Sequence, residues 1–278
     1  MGEDEPKMTL GEHLDELRGC LLRTLIGVLI GMIACFVLRQ YLWAVISWPL
    51  AVATLGNPPA MQAVSPPEGF STLLKLCLVT GAIVSSPYGL YQMWKFIGAG
   101  LYEHERRAIR RYLLPSILLF ALGVLFFFVI VAPLVLRFFL VFNQENYRAP
   151  PDWMVDWVGK YVVHTPPDAT GAEPQSGGGF VESRFRVTAY VSFVAGLSLV
   201  FGLGFQTPLV VLFLIGTGLV PIESMRSFRR YVIVVMLIVA AFITPPDWVS
   251  MIALAGPMYL LYEIGLLAAS LRRRRKAA

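Results

Sequence analysis

Between Tyr112 and Phe142 the chain runs for 31 residues with one charged side chain, Arg137. As a helix this run is ~46 Å long, against a hydrocarbon core of ~30 Å. In lipid a backbone must satisfy its own hydrogen bonds, which restricts a spanning segment to a helix or a closed barrel. Comparable apolar runs lie at about 20–38, 70–97 and 187–217. A shorter one covers 231–243, and a last one follows the turn Thr244-Pro-Pro-Asp-Trp248 and reaches about Leu267. Only 15% of the residues are charged, where a soluble domain carries about 25%. The chain is therefore expected to be all-α, a polytopic membrane protein with six transmembrane helices. The fifth has 13 residues, or ~20 Å of helix, below the usual span. Either the bilayer thins there or residues 231–267 form a re-entrant hairpin. Both return the tail to the same side.

Charge sets the expected orientation. With loops assigned to alternate sides, the 23 Lys and Arg divide 16 to 7. The richer side takes the N-terminal segment, 95–111, 226–230 and 272–276, and the positive-inside rule makes it cytoplasmic, with both termini. The start, Met1-Gly-Glu-Asp-Glu-Pro6, is acidic and unlike a secretory signal, so the first span is expected to be retained. One membrane domain is expected over 1–268, with an external loop insertion at 143–185, rich in Pro and Gly, and a basic cytoplasmic tail at 269–278. The localisation is the cell inner membrane, multi-pass.

Local signals refine this outline. Thr9 and Glu12 form a capping box. Leu10, Leu14, Leu17 and Leu21 then share one face, giving a short amphipathic helix on the membrane that feeds the first span. Trp43, Trp48, Pro49 and the Pro-Pro pairs at 58–59 and 66–67 predict an exposed loop over 39–69 with interfacial anchors. Pro87 predicts a kink in the second span. Pro208 predicts a bend in the fourth, because it frees the carbonyl of Gly204.

Enzyme signatures are missing. The three His form no His-Glu-x-x-His set, and no Gly-x-Ser-x-Gly or phosphate-loop pattern occurs. Cys20, Cys35 and Cys77 lie in or beside spans and read as small hydrophobes. No catalytic residue, metal site or cofactor is expected, and no nucleic-acid partner. The polar residues that stand out are Glu16, Glu103 and Glu105 on the cytoplasmic side and Gln206 within the fourth span. On pattern alone, Glu103 and Arg107 read as a solvated helix pair worth ~0.3–0.5 kcal/mol, and the neighbouring arginines as topology determinants. The alternative is a receptor surface. Gln206 reads either as an internal helix–helix contact or as a docking point for another membrane helix.

Several segments, in order, resemble one family. They are His13-Leu-Asp-Glu-Leu-Arg18, Pro87 to Gln92 with Trp94 and Phe96, and Leu101-Tyr-Glu-His-Glu-Arg-Arg107. They continue with Phe201-Gly-Leu-Gly-Phe205 and Pro208, Thr244-Pro-Pro-Asp247, and Pro257-Met-Tyr-Leu-Leu-Tyr-Glu263. Across most of 9–268 these resemble TatC, the core membrane subunit of the twin-arginine protein translocase. The resemblance implies a receptor for twin-arginine signal peptides of folded cargo, driven by the proton-motive force. It implies Glu16 and Glu105 as acidic contacts, with Leu17, Arg18, Phe96 and Tyr102 shaping the patch; Glu103 is an additional carboxylate nearby that is not part of the signature. It also implies a docking site for single-span TatA/TatB-like partners at Gln206, Thr244, Asp247 and Met251, lipid contact, and self-association in a multimeric receptor complex. The chain departs from the family's pattern where Gln206 replaces a frequent Glu, where Met251 replaces a frequent polar amide, and in its long insertion. The rival readings are a small-solute transporter with a midplane site at Gln206, against which the lack of internal repeats counts, and a structural scaffold.

Overall fold

The computed structural model describes residues 10–56, 61–99, 103–146, 186–243 and 248–277. Among them it is helical, with no strand beyond an isolated bridge between Gln62 and Arg186. The first helix, α1, is Leu10–Val37. The expected amphipathic helix is not a separate element, because α1 runs unbroken from it into the span; no Gly or Pro punctuates the junction strongly enough to end a helix. Thr9 lies outside the described residues.

The expected loop over 39–69 is half wrong. Arg39–Ala53 is a helix, α2. Its buried residues Ile46, Pro49, Leu50 and Ala53 recur at helical spacing, and burial of that face outweighs the missing N–H of Pro49. The helix ends where Leu55 and Gly56 take positive φ, 54° and 92°.

The second apolar run is two helices, α3 (Glu68–Val84) and α4 (Ser86–Ala99), bent by 55° at Ser85. Pro87 sits in the first turn of α4, where its missing N–H costs nothing. The predicted kink is therefore real and falls two residues before the proline. The third run comprises α5 (Glu103–Phe126), a π-turn at Phe127–Val131 and α6 (Ala132–Asn146). The fourth comprises α7 (Val187–Gly204) and α8 (Thr207–Gly216), broken at Phe205 and Gln206. The carbonyl of Gly204 accepts a 2.6 Å hydrogen bond from the Thr207 hydroxyl, which satisfies the group that Pro208 leaves without its helical donor. A short α9 (Ile222–Ser227) leads to α10 (Arg229–Ile243) and α11 (Trp248–Ala277). At the boundary expected near 268 the helix does not stop; α11 carries the basic run onward to Ala277.

Four stretches are long and apolar enough to cross a membrane: Gly11–Val37, Arg111–Phe142, Val187–Gly216 and Trp248–Arg272. The bent pair α3–α4 supplies a fifth. The 15 residues of α10 reach ~22 Å, short of a ~30 Å core. Leu25, Leu29, Ile33, Leu118, Leu122 and Phe242 face outward, as an apolar solvent permits.

The core is built around α7, whose Val191, Val194, Ala195 and Phe201 are buried with Leu50, Leu76, Phe127, Val131 and Leu254. Helix α1 meets α3 backbone to backbone. A Cβ on Gly31 would lie 2.6 Å from the carbonyl oxygen of Gly81, and one on Gly81 would lie 2.5 Å from the nitrogen of Met32. Gly81→Ala forces these helices apart. It is expected to cost about 1–3 kcal/mol, the range for overpacking, read as a lowered thermal midpoint in detergent; an unchanged midpoint would show that α1 is not seated on α3. Helix α11 packs on α8 and α10, and Arg229 pairs with Glu263 at 2.8 Å while Tyr259 donates to the same carboxylate at 2.9 Å.

Candidate functional site

Helices α1 and α4 run side by side in opposite directions. Tyr88 lies over Gly27 and Gly89 faces Thr24. Continuing that register brings the start of α1 to the end of α4, where the His13 ring stacks on Phe96 with centroids 4.5 Å apart and planes at 24°. Glu16 follows His13 by one helical turn, partly exposed, and Leu17 and Arg18 are exposed. Among the described residues the Glu16 carboxylate takes part in no ion pair, so its charge is unspent. Helix α5 starts at the same end. Glu103 and Glu105 stand in its first turn, where backbone N–H groups favour negative charge. Tyr102 lies outside the described residues. The fold thus carries Glu16 and Phe96 to one end of the bundle, at which the helix bearing Glu103 and Glu105 begins.

Residues quoted above only as part of a family-like segment, joined by Phe213, complete this end. Gln92 and Trp94 are buried just before Phe96, and Gln92 Nε2 donates to the Tyr88 hydroxyl at 2.7 Å. Trp94, Tyr112 and Phe213 form an aromatic cluster joining α4, α5 and α8. The i, i+4 spacing of Tyr88, Gln92 and Phe96 was the available signal for the α4 face; nothing local pointed to Phe213.

The second set of predicted residues looks inward. Gln206 is 7% exposed. Its Oε1 accepts from the Ser116 hydroxyl at 2.6 Å and its Nε2 donates to the Ser116 carbonyl at 2.9 Å. The amide is thus engaged with α5, as an internal helix–helix contact. Met251 packs against the main apolar core, and Thr244 and Asp247 lie outside the described residues. Among the described residues no group of three His, Cys, Asp or Glu is arranged to hold a metal ion.

At the opposite end of α3 is a carboxylate that the sequence did not single out. Glu68, 3% exposed, stands ahead of the apolar run that begins at Phe70. It accepts from Arg186 Nε at 2.9 Å, the Thr188 hydroxyl at 2.7 Å and the Val64 N–H at 2.6 Å. The N–H of Val187 reaches the Gln62 carbonyl at 3.1 Å beside it. This clamp fastens the loop before α3 to the start of α7. Arg186, then Thr188, hold the Glu68 carboxyl down to about 2 against the opposing effect of burial. A carboxyl with a depressed folded value stabilises above its ordinary value of ~4.3. That contribution is lost as the pH falls toward 2. Thermal midpoints measured between pH 6 and 2 are expected to fall more steeply for wild type than for Glu68→Gln, which starts lower; parallel curves would mean the clamp contributes nothing.

A helical bundle with an outward apolar surface and several membrane-length helices is a multi-pass membrane protein. Comparison with known proteins narrows the class. The family model described as Sec-independent protein translocase protein (TatC) matches residues 12–257. The TatC protein of Aquifex aeolicus is 35% identical over 271 residues, covering 97% of this chain and 98% of the relative. That of Desulforapulum autotrophicum is 32% identical over 276 residues, covering 99% and 89%. A crystal structure of the twin-arginine translocase receptor TatC superimposes with a TM-score of 0.73 at 34% identity, covering 94% of this chain and 99% of that one. The chain belongs to the TatC family. It is a membrane component of the twin-arginine translocase, a transport subunit rather than an enzyme.

Proposed function

We propose that this chain is the signal-peptide receptor of its translocase. It would bind the paired arginines of folded cargo at the end where α1 starts, α4 ends and α5 starts. The observation that carries this reading is the His13–Phe96 stack, which fastens the helix bearing Glu16 to the α4–α5 corner. That end is taken as cytoplasmic, with both termini, and α10 as a short fifth span in a set of six. A guanidinium offers a planar fork suited to carboxylate, and an ammonium does not replace it. Glu16 and Glu105 are the acidic contacts, with Glu103 beside them and Leu17, Arg18, Phe96 and Tyr102 shaping the patch.

Two charged hydrogen-bond sets supply ~3–6 kcal/mol before any association cost, about millimolar affinity or weaker at the low end. The apolar segment of the signal peptide must add the rest. A groove of about 820 Å³ lined by Leu42, Leu76, Ile83, Phe120, Val124 and Phe128 supports a path along α3 and the inner face. The same reading has single-span partner subunits dock at Gln206, Thr244, Asp247 and Met251, with Gln206 first releasing Ser116, and has copies of the chain associate in the receptor complex.

The test is binding of synthetic peptides to the protein in nanodiscs. A peptide with Arg-Arg and an apolar core is expected to bind more tightly than its Lys-Lys counterpart and than an Arg-Arg peptide with a polar core. Equal weak binding of all three would sink the receptor reading and reopen the small-solute one. Polar-core binding as tight as apolar would remove the groove from it.

A further inference from the structure

The aromatic cluster at the receptor end has a strut reaching it from the last helix. Trp94 lies nearly parallel to Tyr112, with centroids 5.5 Å apart and planes at 16°, and Phe213 stands edge-on to both. The hydroxyl of Tyr112 accepts a 3.0 Å hydrogen bond from Arg272 Nη1, across 160 residues of sequence. Gly216 leaves the room for it: a Cβ there would lie 3.3 Å from the Tyr112 oxygen and 3.9 Å from that same nitrogen. Tyr112 lies about two turns along α5 from Glu105, and Trp94 is two residues before Phe96. The bond therefore joins the last turns of α11 to α5 and, through the ring stack, to α4.

We propose that Arg272 is a positioning residue for the peptide site: through Tyr112 and Trp94 it holds the α4–α5 corner, where Phe96 stacks on His13 of α1 and the helix bearing Glu105 begins. This rests on the receptor reading above. The sign of the effect separates positioning from charge. The ligand carries two positive charges, so removing a cation close to its site strengthens binding if electrostatics alone act. Loss of the strut weakens it.

The experiment measures affinity for the Arg-Arg peptide in nanodiscs for Arg272→Leu, Arg272→Lys, Tyr112→Phe and the double variant Arg272→Leu with Tyr112→Phe. Arg273→Gln serves as a control with the same change of charge. Arg272→Leu and Tyr112→Phe are each expected to weaken binding about threefold, within the range for one hydrogen bond. The double variant is expected to be no weaker than either single one, the mark of a shared contact. Arg272→Lys is expected to recover part of the loss, and Arg273→Gln to bind as wild type or slightly tighter. Tyr112→Phe keeps the ring and the aromatic stack, so a loss there is not a failure to fold. If Arg272→Leu binds as tightly as wild type or tighter, or if the two losses add in full, the proposal is wrong. Glu105→Gln run alongside keeps the failures apart. If it still loses affinity, only the strut falls; if it too has no effect, the receptor reading falls with it.

Discussion

Glu105→Gln is expected to weaken binding of an Arg-Arg signal peptide by about tenfold to a hundredfold. The substitution keeps the size of the side chain and one acceptor oxygen and removes the charge. A hydrogen bond to a charged group is worth ~1.5–3 kcal/mol, and tenfold in affinity is ~1.4 kcal/mol. The Lys-Lys peptide starts weaker and loses less, because an ammonium makes no paired contact with a carboxylate. The Arg-over-Lys preference should therefore shrink with the affinity. Glu16→Gln should act in the same direction, since its carboxylate is unspent among the described residues. If Glu103 and Arg107 are only a solvated pair, Glu103→Gln should change peptide binding by less than about threefold, the scale of an exposed ion pair. A Glu105→Gln variant that keeps both affinity and preference would remove this end of the bundle as the receptor.

The second large effect concerns Gln206. Its amide and Ser116 exchange two hydrogen bonds inside the membrane, at 2.6 and 2.9 Å. Gln206→Leu leaves the buried Ser116 hydroxyl without that acceptor. It is expected to destabilise the fold by about 1–3 kcal/mol, the penalty for a buried polar group left unpaired. Ser116→Ala combined with Gln206→Leu should be more stable than Gln206→Leu alone, because both polar partners are then gone. Thermal unfolding in detergent reads both. Assembly with single-span partners, followed by co-purification, separates the two roles. A stable double variant that still binds partners confines Gln206 to packing, and one that has lost them returns it to the docking site. A neutral carboxyl at this position could donate one bond and accept the other as the amide does, whereas an ionised one could only accept. That chemistry is compatible with the Glu that the family resemblance places here.

The apolar runs were legible because lipid imposes length and composition directly. The bend near Pro87 and the helix break ahead of Pro208 were legible because proline acts locally; only their registration, at Ser85 and at Phe205–Gln206, depended on the tertiary fold. Helix α2 was missed because Trp43, Trp48 and Pro49 resemble loop punctuation, while what makes it a helix, burial of Ile46, Leu50 and Ala53 against α6 and α7, depends on partners elsewhere in the chain. The family segments led to Glu16 and Phe96 as neighbours. They could not show that His13 makes the contact, that Gln206 is engaged with Ser116, or that Arg272 reaches Tyr112. Each of these pairs residues far apart in sequence, and no periodicity carries that information. Glu68 was overlooked because a glutamate ahead of an apolar run reads as an ordinary helix start until Arg186 and Thr188 are seen around it.

The π-turn at Phe127–Val131 works as a gear between the halves of the third span. Val135 follows Phe127 by eight positions, which in an unbroken α-helix puts it ~80° round the axis. The extra residue in the wide turn takes back ~100°, one residue's worth. Val135 and Leu136 therefore return to the side on which Phe127 is buried. Helix α5 thus keeps its grip on α7 while α6 presents a matching face to α2. Losing one residue here would rotate everything downstream by about a quarter-turn, although no side chain in the core had changed. In this stretch the count of residues is as strict a constraint as their hydrophobicity. The sequence can drift among Phe, Val, Ile and Leu, but it cannot lose its beat.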